Sequence, residues 1–182
     1  MRKTDARIRY TQGVLKQALL SFLQEKPINR ITVKEVCERA ELNRATFYAH
    51  YSDCFALLES IEEDLLEAFQ QSLKLVDSFD VTALIEAIYT MIEQQQEACR
   101  VLIFQNVCPN VLRRMISLAR DESISYWKRH LHHITDAELE MLYTHLSNGL
   151  MHVVVEGYEK YSREEVVRFV NRIVQCSLSQ FQ

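Results

Sequence analysis

Glycine and proline are scarce, at three and two in 182 residues. Tight β-turns draw on both, so their scarcity argues against a hairpin-rich fold and for long helices. No apolar run approaches the ~20 residues a membrane span needs. The basic start MRKTDARIRY is not followed by the apolar stretch of a signal peptide. A cytoplasmic protein with no membrane segment is expected. Cysteine is present but unpatterned: Cys37, Cys54, Cys99, Cys108 and Cys176 are odd in number, widely spaced and without a CxxC pair. That spacing excludes a zinc ribbon and fits small buried thiols in a reducing compartment. The GxSxG, HExxH, P-loop and Rossmann signatures are missing too. We therefore expect no enzyme, no cofactor and no metal.

What is present is unevenly charged. The net charge of -4 divides into residues 1–52, with 10 Lys and Arg against 5 Asp and Glu, and residues 53–182, with 11 against 20. A basic first quarter on an acidic remainder suggests a polyanionic partner for the N-terminal part. The length suits a small domain joined to a larger one, read here as 1–52 and 53–182.

The helical period dominates and no alternating strand pattern competes, so the fold class is all-α. A first helix is expected from about Ala6 to Glu25, ending before Pro27. A second follows Thr32, which with Glu35 makes a capping box and turns Val33, Val36, Cys37 and Ala40 inward. A short third begins at the N-cap Asn43. A fourth runs from Ser52 or Asp53 to about Val76, with Phe55, Leu58, Ile61, Leu65, Leu66 and Phe69 on one side. Further helices are expected over Val81–Asn106, from Pro109 to about His132, from Thr135 to Lys160, and after Ser162. Thr135 with Glu138 and Ser162 with Glu165 repeat the capping box.

The stretch NRATFYAHYSD carries the chemistry. At 100° per residue Phe47 and Tyr51 share one face, and Ala45 and Ala49 lie opposite. Arg44 and Tyr48 flank the small residues on one side, Thr46 and His50 on the other. Small residues at the centre let a backbone approach a surface closely, and polar groups on both flanks reach two walls. A DNA major groove offers base edges between phosphate walls. With the preceding helix and the turn ELN the segment reads as a helix-turn-helix. An ordinary short amphipathic helix would also carry such a pattern.

The longer stretch ITVKEVCERAELNRATFYAHYSDCFALLESI decides between these readings. Its Ile-Thr opening, Val-Cys-x-x-Ala core, Thr-Phe-Tyr-x-His-Tyr segment and following Leu-Leu resemble the DNA-binding region of the TetR-type (tetracycline-repressor-like) transcriptional regulators. The resemblance covers residues 7 to about 62. It implies a three-helix DNA-binding domain joined to a larger helical domain for ligand binding and dimerisation. HLSNGLMHVVVEGYEK is similar to a helix in one subgroup of the family. By position, the resemblance implies that Thr32 and Lys34 meet phosphate or a base edge. Asn43 opens the reading helix. Arg44 reads a base, with guanine the expected one, and Ala45 and Ala49 admit thymine methyls. Thr46, Tyr48 and His50 hold phosphates, Phe47 and Tyr51 are core, and Arg2 and Lys3 form an arm near the minor groove. Two positions depart from the family pattern: Glu41 stands where the turn usually has Gly, and Cys54 where a phosphate-contacting Lys is usual.

The last helices carry stripes of Leu139, Leu142, Tyr143, Leu146, Leu150, Val153 and Val154, then Val166, Val167, Val170, Ile173 and Val174, with Ser147 and Gly149 small enough for close approach. These stripes make either an internal core or half of a four-helix interface between two copies. The resemblance favours the homodimer, and with it a roughly palindromic double-stranded operator. Tyr89, Phe104, Met115, Tyr126, Trp127 and His145 are candidates to line a pocket for an unidentified small-molecule effector, with ordinary core as the other reading. In HLHH, His130 and His133 lie i, i+3 near Asp136, but a metal needs three or four converging ligands. The function expected is a sequence-specific DNA-binding regulator, a ligand-responsive repressor. The alternative is a helical interaction protein of the same fold whose operator binding is weakened or lost, a reading that Glu41 and Cys54 motivate.

Overall fold

The structure, a computed structural model, describes residues 3–74 and 81–181. Every regular element among them is helical, and none of these helices is long and apolar enough to cross a membrane. The chain divides into two compact units, Met1–Leu65 with Glu97–Val107, and Leu66–Gln96 with Cys108–Gln182.

The first unit begins with α1 (Lys3–Leu23). Lys3 is therefore helical rather than part of an extended arm, and Arg2 lies outside the described residues. The helix stops where Glu25 and Lys26 both donate their N–H to the Phe22 carbonyl, just before Pro27, which cannot donate. A single 3-10 turn, Ile28–Arg30, leads to α2 (Val33–Arg39). The Thr32 capping box forms as expected, with Thr32 Oγ1 accepting from Glu35 N–H and the Glu35 carboxylate accepting from Thr32 N–H. The five-residue α3 (Arg44–Tyr48) and the 21-residue α4 (Cys54–Lys74) follow, the latter belonging to this unit as far as Leu65. Leu15, Leu19, Val36, Phe47, Leu57 and Leu65 are fully buried and form the unit's centre. The rim ties α1 to its neighbours. Lys16 pairs with Asp64 at 2.5 Å, and the Arg39 guanidinium lies 4.3 Å from the Phe22 ring while donating to Ser21 Oγ.

One inward assignment on α4 fails. Phe55 is 57% exposed, because the helix begins at Cys54 and Cys54, Leu57, Leu58 and Ile61 take the inward positions. The end expected near Val76 falls outside the described residues.

The helix expected over Val81–Asn106 is interrupted. α5 spans Val81–Gln94, α6 spans Gln96–Cys99, and a π-helical turn covers Arg100–Phe104. Gln94, Gln95 and Gln96 offer no apolar side chain, so the buried stripe lapses where the regular helix does.

In the second unit α5 packs on α9 (Arg163–Leu178), and α7 (Pro109–His130) and α9 both pack on α8 (Asp136–Gly157). Pro109 sits at the first helical turn, where its missing N–H is harmless. The other two capping boxes form at Thr135 and Ser162. Ile85, Ile88, Met115, Leu139 and Val154 are sealed from solvent. Arg120 forks onto Glu140 to link α7 with α8, and Arg163 reaches Glu86 to link α9 with α5.

Candidate nucleic-acid interface

The turn between α2 and α3 is a Schellman motif. Leu42 N–H reaches the Cys37 carbonyl at 2.9 Å and Glu41 N–H the Glu38 carbonyl at 3.3 Å. Glu41 takes the left-handed position, with φ 54. The chain then reverses directly into α3, where Asn43 Oδ1 accepts the Thr46 N–H at 2.7 Å.

The face set by this turn has the expected character. Phe47 is fully buried and Tyr51 nearly so, while Arg44, Ala45, Tyr48 and Ala49 are exposed. Phe47 meets Tyr51 at 6.0 Å behind the short helix and the exposed Tyr48 edge-on at 5.6 Å, so Phe47 anchors the helix from the inside. Among the described residues Arg44 forms no ion pair, and its guanidinium is free to be directed by a ligand. Thr46 and His50 are half-exposed on the other flank; Ala49 caps α3 and His50 lies in the turn after it. Thr32, Lys34 and Asn43 are exposed.

Several of these groups are already engaged. Thr32 Oγ1 donates to Glu35 at 2.7 Å, Thr46 Oγ1 donates to Asn43 at 3.0 Å, and Lys34 lies 3.7 Å from Glu38. A phosphate contact by either hydroxyl requires its proton to turn away from the cap. Glu35 is in turn held down to about 2 by Lys26 at 2.6 Å and by the Thr32 hydroxyl and amide.

Charge is distributed in a way the two-part division missed. Residues 1–32 hold seven Lys and Arg against two Asp and Glu, whereas residues 33–52 hold three of each. The basic surplus thus belongs to α1 and the segment after it, where Arg7, Arg9 and Arg30 are exposed. A finer count along the chain would have found this.

No protein-family model matches the chain. A stretch of 62 residues, 34% of the chain, is 37% identical to an uncharacterized HTH-type transcriptional regulator, YxbF, of Bacillus subtilis (strain 168), and takes in 16% of that protein's length. Solved structures match nearly throughout. A TetR transcriptional regulator from Streptococcus agalactiae 2603V aligns with a TM-score of 0.69 at 22% identity, over 94% of this chain and 97% of that one. The dihydroxyacetone kinase operon activator DhaS aligns at 0.62 and 17%, over 94% and 98%. The fold is that of the TetR-type transcriptional regulators.

Against the TetR-type pattern, the two departures have clear geometry. Glu41 occupies a backbone position suited to Gly, at a cost of about 1 kcal/mol. Cys54 points inward, 4% exposed, and burial, helped by the charge of Asp53, pushes its thiol up to about 11. It is a protonated core residue with no phosphate role. Asp53 Oδ1 accepts the Ala56 N–H at 2.9 Å, so the protein's own carboxylate takes one of the amides that open α4.

In the helical unit of this TetR-type fold the candidate pocket residues scatter. Trp127 lines a cavity together with Ile88, Tyr143, Leu146 and Met151. Tyr89 is buried elsewhere, 5.4 Å from Tyr158 and under the Arg163 guanidinium, and its hydroxyl has no partner. Met115 is plain core, Tyr126 stacks on His130 at 4.0 Å, and His145 is exposed. Phe104 belongs to the first unit. In HLHH, His130 bonds the Tyr126 carbonyl and Asp136 pairs with Lys128. No three metal-binding groups converge among the described residues.

Proposed function

We propose that this chain is a sequence-specific DNA-binding transcriptional regulator, acting as a homodimer on a roughly palindromic operator and answering to a small-molecule effector. The observation that carries this reading is the exposed face of α3, with Arg44, Ala45, Tyr48 and Ala49 outward over a buried Phe47. In this reading residues 1–52 bind DNA and residues 53–182 dimerise and sense the effector, in the cytoplasm. Arg44 reads guanine through O6 and N7, Ala45 and Ala49 accept thymine methyls, and Thr46, Tyr48 and His50 brace phosphates. Asn43, whose Oδ1 is taken by Thr46, contributes its side-chain NH2, and Thr32 and Lys34 approach from the start of α2.

Pairing through α8 and α9 is supported by what those helices leave outside. Phe169 is 44% exposed and Ile173 41%, on one face of α9 with Cys176. On α8, Met141, His145, Gly149 and His152 are outward, and a Cβ at Gly149 would meet nothing within 4 Å. A second copy would cover these faces and set two α3 helices on two half-sites.

In this reading the protein represses by occupying its operator. DhaS is named an activator, so a reporter assay must fix the sign. Selection of random duplexes by the full chain, followed by sequencing and a salt titration, tests the reading. An enriched palindrome with a steep salt dependence supports it. A folded dimer that enriches nothing supports an interaction protein instead, a reading that Glu41 and Asp53 favour.

A further inference from the structure

The second unit holds a part-open cavity of about 70 Å³, walled by Leu84, Ile88, Trp127, Leu146, Leu150 and Met151. Its chemistry is unusually uniform. Among the described residues no Asp, Glu, Lys, Arg or His lines it. Three hydroxyls do, and each donates its proton to a helix carbonyl: Tyr143 to Ile116 at 2.6 Å, Ser123 to Ala119 at 2.6 Å, and Ser147 to Tyr143 at 2.7 Å. Burial, partly offset by the neighbouring Ser123 and Ser147 hydroxyls, pushes Tyr143 up to about 12, so it stays neutral.

From this wall we infer that the cavity takes a small uncharged molecule of hydrocarbon character, such as a single aromatic ring or a short alkyl chain, and rejects carboxylates and amines of the same size. An ion placed there would leave water without gaining a counter-charge or a free hydrogen-bond donor, and the cost of that transfer exceeds what dispersion returns. An apolar guest loses nothing by the exchange. The cavity is smaller than the ~150 Å³ apolar void known to admit benzene. A ring must therefore displace a flexible wall residue, and Met151 is the adaptable one. Such widening moves α8, which supplies both the cavity wall and part of the proposed dimer face. The link to DNA release rests on the regulator reading; the binding itself does not.

Trp127 is the chain's single tryptophan, so its emission reports the cavity directly. Full-length protein is titrated with toluene, benzoate and benzylamine, following Trp127 fluorescence and Tm without DNA. Toluene should change the emission and raise Tm, with benzoate and benzylamine at least roughly tenfold weaker. Ala119→Leu, which fills the cavity, should abolish the toluene response while keeping helical circular dichroism; Leu150→Phe serves if that variant fails to fold. A charged analogue that binds as well as toluene overturns the inference. So does the absence of a toluene response, or one that survives in a folded, filled variant. A chain that selects a palindrome but ignores toluene keeps the regulator reading and loses this one; a chain that binds toluene but selects no duplex does the reverse.

Discussion

Arg44 and Tyr48 are both exposed on α3, yet they should fail differently when removed. A bidentate guanidinium on guanine discriminates by about 1–3 kcal/mol, so Arg44→Ala should flatten the preference at one position of each half-site. A phenol on a phosphate carries no sequence information, so Tyr48→Phe should weaken all duplexes about equally. Binding measured on an operator and its single-base variants separates the two; unchanged specificity in Arg44→Ala would refute the base-reading role. Glu41 invites the opposite kind of change. It holds φ 54, where a Cβ is strained, and adds a negative charge close to the proposed interface. Glu41→Gly should raise stability by about 1 kcal/mol in chemical denaturation. It should also tighten duplex binding, most at low salt, where charge is least screened. A stabilised protein with unchanged affinity would mean that the acid lies clear of DNA.

At the scale of helices, one device recurs. α2, α8 and α9 each begin with a Ser or Thr whose hydroxyl accepts from an N3 Glu amide while that Glu accepts in return. All three carboxyls are lowered: Glu35 to about 2, first by its hydrogen bond to Lys26 and then by Thr32, and Glu138 and Glu165 by the N-cap amides and hydroxyls. A carboxyl lowered on folding stabilises fully above its unfolded value of 4.5, and the contribution is lost as pH falls through the folded value. For Glu35 the window runs from 4.5 down to about 2. Glu35→Gln should flatten the acid limb of stability there, as followed by circular dichroism; an unaltered limb would show that the Glu35 charge, held by Lys26 and Thr32, adds nothing to stability. Thr32→Ala should cost about 1 kcal/mol at neutral pH. These caps were legible in the sequence because a cap is a local pattern of four residues. So was the α3 face, since Phe47 and Tyr51 are one helical turn apart. The break after Gln94 and the outward turn of Phe55 were not. The break follows a lapse of only three residues in the apolar stripe, at Gln94, Gln95 and Gln96, which helical periodicity on either side spans. The outward turn of Phe55 depends on which residue a neighbouring element leaves room for, and Cys54 takes the interior place. The pocket candidates scattered for the same reason: aromatic spacing along the chain does not say which rings converge.

For the molecule as a whole, the proposed function depends on two copies being held together. Phe169 and Ile173 lie four residues apart on α9, both part-exposed, with no described residue of the chain sealing them. Single exposed apolar residues are common, but an i, i+4 pair beside Cys176, together with open Gly149 and 64%-exposed Met141 on α8, is a patch that a second copy can cover. A stable interface buries roughly 1,200–2,000 Å², so two charges at its centre should abolish it. Phe169→Glu with Ile173→Glu should therefore yield a monomer by sedimentation. Its helicity and thermal unfolding should survive, because both side chains are part-exposed in the protomer. Its DNA binding should change in a way that loss of folding cannot imitate. Each protomer neutralises its own set of phosphates, and log K falls by about 0.9 per phosphate for each decade of salt. The salt slope on a full palindrome should thus drop to about half, and affinity for an isolated half-site should stay as it was. A variant that remains dimeric would place the interface elsewhere. A monomer with the full slope would mean that one protomer carries all the contacts, and the palindrome would then have no physical cause.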